Sequence, residues 1–66
     1  MAAIKVIELI GVSSDSWEDA AASALAEATK TVRNISGIDI MSQTAKVKDG
    51  KIKEFHAACK IAFKVD

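Results

Sequence analysis

The chain has 66 residues, half of them hydrophobic, and its nine basic and nine acidic residues give a formal net charge of zero at pH 7. We expect a single domain over residues 1–66 with a small core, and neither sign of charge is concentrated enough to follow a nucleic-acid backbone. Because no apolar run is long enough to span a membrane and no signal-peptide pattern is present, we expect a cytoplasmic protein that binds neither nucleic acid nor membranes.

The cysteine content limits how so small a domain is stabilised. Cys59 has no partner for an internal disulfide, and Cys59 with His56 cannot complete a zinc site. In scaffolds of this length, apolar burial barely offsets the chain entropy that is lost on folding. We therefore expect the chain to gain stability by associating with copies of itself.

The first predicted element is a strand over residues 4–10, which ends at Gly11. Aliphatic residues lie on both of its faces: Ile4, Val6 and Ile10 on one, Ile7 and Leu9 on the other. A strand in a two-layer monomer has a polar outward face, so this pattern predicts that the far side of the sheet is also covered.

An alanine-rich helix is predicted over about 15–33. Asp15 is a candidate N-cap that would form a capping box with Glu18, and Ser14 and Ser16 are alternatives. The apolar stripe recurs at helical spacing: Trp17, Ala20, Ala21, Ala24, Leu25, Ala28 and Val32. Small side chains in this stripe predict a close approach of the helix to a sheet.

The helix exit contains Asn34 and Gly37, which both tolerate a left-handed backbone. A second strand is predicted over residues 38–47, with weak alternation that indicates a bulge. Asp49-Gly50 then favours a type I′ hairpin turn, and a third strand follows it.

The third strand has the clearest period-two pattern, over residues 55–65, which predicts that it lies at the centre of the sheet. The second strand pairs with it through the tight turn, and the first lies on its other side. The chain is therefore predicted to be an α+β domain with β-α-β-β order, an antiparallel sheet in the order 2-3-1 and a right-handed crossover.

These elements, in this order, resemble the dodecin family. The similarity rests on Lys-Val-Ile-Glu-Leu-Ile-Gly at 5–11 before a serine-rich turn, Ser16-Trp17-Glu18 at the start of the alanine-rich helix, and Ala62-Phe63 in the last strand. It covers nearly the whole chain. The resemblance implies a three-stranded sheet wrapped around one helix, twelve copies assembled into a hollow shell, and a non-enzymatic role in binding flavins such as FMN, riboflavin or FAD.

Two positions correspond to the flavin site of the family, where a tryptophan stacks on the isoalloxazine ring and a glutamine bonds its edge. The resemblance places Gly37 at the tryptophan position and His56 at the glutamine position. Glycine has no aromatic face, and histidine cannot present the paired donor and acceptor of an amide. We therefore predict weak or absent flavin binding.

Several polar features have two explanations each. His56 is either a ligand contact or pH-sensitive interface group, or a solvated or intersubunit hydrogen-bonding residue. The oxygen-rich run 13–16 with Glu18 and Asp19 either helps to bind calcium or only caps the helix. The lysines near the hairpin either attract an anionic cofactor tail or discourage unwanted strand pairing: Lys46, Lys48, Lys51 and Lys53.

The sequence therefore predicts a non-enzymatic homododecamer that binds or stores a small molecule at its subunit contacts. Two alternatives stay open: a flavin-binding and flavin-sequestering dodecin, and a structural or calcium-binding assembly. No nucleophile-base pair is placed by the sequence, which disfavours an enzyme.

Overall fold

A computed structural model describes residues 3–65, with the order β1 (Ala3–Ser13), α1 (Trp17–Thr29), β2 (Ile35–Lys48) and β3 (Lys51–Val65). The strands form one antiparallel sheet in the order β1-β3-β2. The predicted α+β class, the β-α-β-β order and the central place of the last strand are confirmed.

The start of α1 is set by Ser16. Its backbone is extended, and its hydroxyl accepts a hydrogen bond from the backbone N–H of Asp19 at 3.0 Å. The predicted capping box of Asp15 with Glu18 is wrong, because Asp15 lies one residue before the cap and the helix begins at Trp17. Instead, the backbone N–H of Asp15 donates to the hydroxyl of Ser13 at 2.9 Å.

The end of α1 lies at Thr29, four residues before the predicted boundary. Asn34 then adopts the left-handed backbone expected of it, with φ of 63°. Gly37 does not adopt a left-handed backbone. It lies within β2, which begins at Ile35, and among the described glycines only Gly50 has a positive φ. The prediction that Gly37 belongs to the helix exit is therefore wrong, and Gly37 is a strand residue.

The β2–β3 hairpin follows its predicted turn. Asp49 and Gly50 have φ of 53° and 74°, as a type I′ turn requires. The bulge expected in β2 is present, because the pairing with β3 shifts register between Ile40 and Ser42. Met41 is the extra residue of β2 at this bulge.

The core lies between α1 and the centre of the sheet. The buried side chains are small or aliphatic: Ala20, Ala21, Ala24 and Ala28 from the helix, and Ala57, Cys59 and Ile61 from β3. The predicted alanine stripe is thus confirmed as the buried face of the helix. Because alanine side chains are short, the helix lies close to the strands below it.

Gly11 of β1 is the point of closest approach between helix and sheet. A Cβ atom built there would overlap the carbonyl oxygen of Ala20 and lie 3.0 Å from the Cβ of Ala24. The overlap is with helix backbone, which cannot move without displacing the whole helix. The absence of a side chain at Gly11 is therefore a packing requirement.

The helix covers only part of the sheet, since it packs on β1 and β3 and barely reaches β2. The face turned away from α1, which we call the outer face, has no layer of this chain over it. Its β1 side chains include Ile10, 67% exposed, and Ile4, 55% exposed. A single chain thus leaves apolar surface in water on the side that the sequence predicted to be covered.

Gly11→Ala should lower the free energy of unfolding by about 2–4 kcal/mol, because the added methyl group overlaps helix backbone. The matched control is Gly37→Ala, since a Cβ at Gly37 has no atom within 4 Å apart from those of its chain neighbours. The control should change stability by less than about 0.5 kcal/mol. Urea unfolding followed by circular dichroism at one protein concentration measures both, and equal midpoints for the two variants would contradict the packing described.

Candidate functional site

The outer face contains both residues that the sequence places at a ligand site. In an antiparallel sheet, directly opposed residues project from the same face. Gly37 of β2 is opposite Ala62 of β3, and His56 of β3 is opposite Thr44 of β2 and Val12 of β1. Ala62 and His56 alternate with the buried residues of β3, so both positions lie on the outer face.

Gly37 borders an open cavity of about 330 Å³. The cavity is lined by Val6 of β1, Ile38 and Asp39 of β2, and Lys60 and Ala62 of β3. Apart from its neighbours in the chain, no atom lies within 4 Å of where a Gly37 side chain would begin. The position that the family resemblance predicts for the stacking tryptophan therefore faces open space, with apolar walls and two charged residues at its edge.

His56 is half-buried and has a carboxylate partner. Its Nε2 lies 3.2 Å from Oε1 of Glu54, two residues earlier on the same strand face. When His56 is neutral, a proton on Nε2 is donated to Glu54, and Nδ1 is then left as an acceptor for a ligand or a neighbouring chain. Sequence reasoning missed Glu54, although strand alternation alone places residues 54 and 56 on one face.

The structure does not bring Gly37 and His56 together within one chain. Their partners on β3 are six residues apart, and strand geometry converts this spacing into about 20 Å. A small molecule cannot touch both positions of a single chain. Any site that uses the two residues at once needs a second copy.

Trp17 contacts the sheet of its own chain. Its indole Nε1 donates to the backbone carbonyl of Thr44 at 2.8 Å, and its ring meets Phe55 edge to face with centroids 4.7 Å apart. These contacts attach the start of α1 to β2 and β3. Trp17 therefore anchors the start of the helix to the sheet.

The serine-rich turn is occupied by its own hydrogen bonds. The hydroxyl of buried Ser13 donates to Oδ2 of Asp19 at 2.7 Å, and Ser16 caps the helix. Within residues 3–65, no group of three or more histidine, cysteine, aspartate or glutamate side chains is arranged to hold a metal ion. These contacts account for the run as capping, and a cation there would need further ligands.

Cys59 lies on the helix side of β3 and is 1% exposed. Burial raises the pKa of its thiol, because the thiolate loses solvation. A protonated thiol is a poor nucleophile and a poor metal ligand. The side chain therefore packs as a small hydrophobic group.

The hairpin lysines lie at the far end of the sheet from Gly37. Lys48 and Lys51 are directly opposite each other beside the turn, and both are exposed. Like charges in this arrangement disfavour pairing with a further strand.

In the part of the chain that the structure describes, no helix has the length and apolar character to cross a membrane.

A second cavity, of about 410 Å³, lies in the middle of the outer face. Met41 and Ile10 form its apolar walls, and Glu8 and Lys60 form its polar border. The β2 bulge supplies Met41 to this cavity, which regular alternation would not have predicted.

Comparisons with known proteins agree with this fold. The family model described as Dodecin matches residues 3–66. Dodecin of Thermus thermophilus is 27% identical over 62 residues, which are 94% of this chain and 90% of that protein. The crystal structure of the tt0972 protein from the same organism, 26% identical, superposes with a TM-score of 0.95 over 100% of this chain and 97% of that chain.

A third relative is the calcium-chelating immunodominant antigen, calcium dodecin, of Mycobacterium tuberculosis, described as having a novel calcium-binding site. It is 35% identical, with a TM-score of 0.84 over 97% of this chain and 91% of that chain. Since the family model spans nearly all of the sequence and the described fold superposes on solved members, the chain belongs to the dodecin family, whose members are homo-oligomers that bind small ligands.

Proposed function

We propose that the protein is a non-enzymatic homododecamer that binds or stores a small molecule where the outer faces of its subunits meet. The observation that carries this proposal is the position of Gly37 and His56. Both lie on the outer face, yet they are about 20 Å apart in one chain, so only an assembly brings one toward the other.

The exposed apolar surface supports self-association. On the outer face of β1, Val6 is 49% exposed and Val12 is 45% exposed, in addition to Ile4 and Ile10. Solvated apolar area of this kind on a small domain marks an interaction surface. A second copy is the occupant we propose, because dodecins associate with themselves and closed homo-oligomers reuse one surface on every subunit.

Flavin binding is proposed to be weak or absent. Stacking of a ring on an aromatic side chain contributes about 1–3 kcal/mol by analogy with nucleobases, and Gly37 contributes none of it. The cavity beside Gly37 still has room for a small planar molecule. The ligand class is therefore a compact molecule that does not depend on an aromatic platform.

A catalytic role is not supported by the arrangement around His56. Glu54 can orient the imidazole, as in many acid-base pairs, but Cys59 projects from the opposite face of the sheet. We propose a binding role without turnover, in the cytoplasm.

The assembly is tested by native mass. Sedimentation velocity of the purified protein should give a particle of twelve chains that persists on dilution, because each chain leaves its outer face uncovered. Its absorption spectrum should show little or no bound flavin. A stable particle of one 66-residue chain in dilute buffer would contradict the assembly.

Gly37→Trp should raise flavin affinity about tenfold to a hundredfold, because it restores the stacking surface in open space. Titration of riboflavin followed by fluorescence quenching measures the change. Gly37→Leu is the matched control, since it adds bulk without a π-face, and it should leave affinity unchanged within about twofold. Equal binding by both variants would show that aromatic stacking is not what the site lacks.

Calcium binding is a second candidate, favoured by the 35% identity to a calcium dodecin. Because Asp19 already accepts from Ser13, a calcium site near the helix start would combine ligands of two copies. Calorimetric titration of the assembled protein with calcium should then show binding that Asp19→Asn weakens at least about tenfold. Asp49→Asn at the distant hairpin turn is the control, and absence of heat with the unmodified protein would exclude this candidate.

A further inference from the structure

One row of charged side chains crosses the middle of the outer face. Lys60 of β3 is directly opposite Glu8 of β1 on one side and Asp39 of β2 on the other. The three side chains therefore project from the same face in the order acid, base, acid. We call Glu8, Lys60 and Asp39 the charged row.

The surroundings of the charged row are mainly apolar. One neighbouring row consists of Val6, Ala62 and Gly37, and the other contains Ile10 and Ala58. The two cavities of the outer face lie on either side, and Lys60 lines both of them. A chain that docks on this face cannot use both cavities without meeting the charged row.

The row is only partly neutralised within one chain. Lys60 Nζ lies 3.9 Å from Glu8 Oε1, the outer limit of an ion pair, and both side chains are more than 40% exposed. Among the described residues, no ion pair involves Asp39. With two carboxylates and one ammonium group, the row has a net charge of −1 per chain.

We propose that the charged row determines the alignment in which a second copy docks on the outer face. This inference rests on the proposed self-association, and it adds which residues select the docking alignment. Contact between aliphatic side chains is non-directional, so many alignments bury similar apolar area. An alignment that buries the row without a counter-charge loses solvation that it does not regain, and such alignments are rejected.

The net charge of the charged row sets the direction in which each substitution changes association. Two rows that approach each other bring together a net charge of −2, and the two Lys60 side chains limit this repulsion. Removal of the Lys60 charge therefore weakens association, whereas removal of the Asp39 charge strengthens it. Both effects are electrostatic and should shrink as salt shortens the screening length.

The test compares Lys60→Gln with the unmodified protein. At each salt concentration, both proteins are measured at the urea concentration at which half of the unmodified chains are assembled. At about 20 mM salt the assembled fraction should fall from one half to about one tenth, and at about 0.5 M it should return close to one half. Sedimentation velocity measures the fractions. Lys51→Gln makes the same change of net charge at the hairpin turn and should leave the fraction near one half.

Asp39→Asn should have the opposite effect on association. Its assembled fraction should rise above one half at low salt, an outcome that a simple loss of folding cannot produce. If Lys60→Gln and Lys51→Gln behave alike, or if Asp39→Asn weakens association, the charged row does not govern docking although the assembly stands. If the unmodified protein never assembles, the proposed self-association itself is wrong.

Discussion

The close contact between an alanine-lined helix and the β1–β3 part of the sheet is the constraint on which the rest of the structure depends. Gly11 leaves room for the backbone of α1 at Ala20, and the buried alanines keep the helix near Cys59 and Ile61. A helix held this close covers only a narrow strip of the sheet. The core is consequently small, and it lies entirely on one side of the sheet.

The exposure of the outer face follows from this one-sided packing of the helix. Because α1 covers only the inner face, aliphatic residues of β1 stay in water, and the same face carries Gly37, His56 and the charged row. In the assembly that we propose, stability and ligand binding therefore depend on this one face. A surface that must be covered for stability is also where a ligand can be enclosed between subunits.

Membership of the dodecin family agrees with the fold, while the residues that we predict at the site depart from the family pattern. Gly37, which we predict to occupy the position of the stacking tryptophan, offers no aromatic surface, and its surroundings are open. His56 gains Glu54 as a partner, which gives its ring a defined orientation. In the binding role that we propose, the absence of a stacking surface and the imidazole partnered by Glu54 would favour a ligand held by its polar edge.

The sequence by itself determined the element order, the central strand, the type I′ turn and the buried alanine stripe, because each depends on local periodicity or on backbone preference. Only the tertiary structure decided that Ser16 caps the helix, since several neighbouring residues have the same capping chemistry. It also decided that Lys60 lies between Glu8 and Asp39, and that Gly37 and His56 are far apart. These relations depend on strand register and on a bulge, which pair residues distant in sequence and leave no periodic signal.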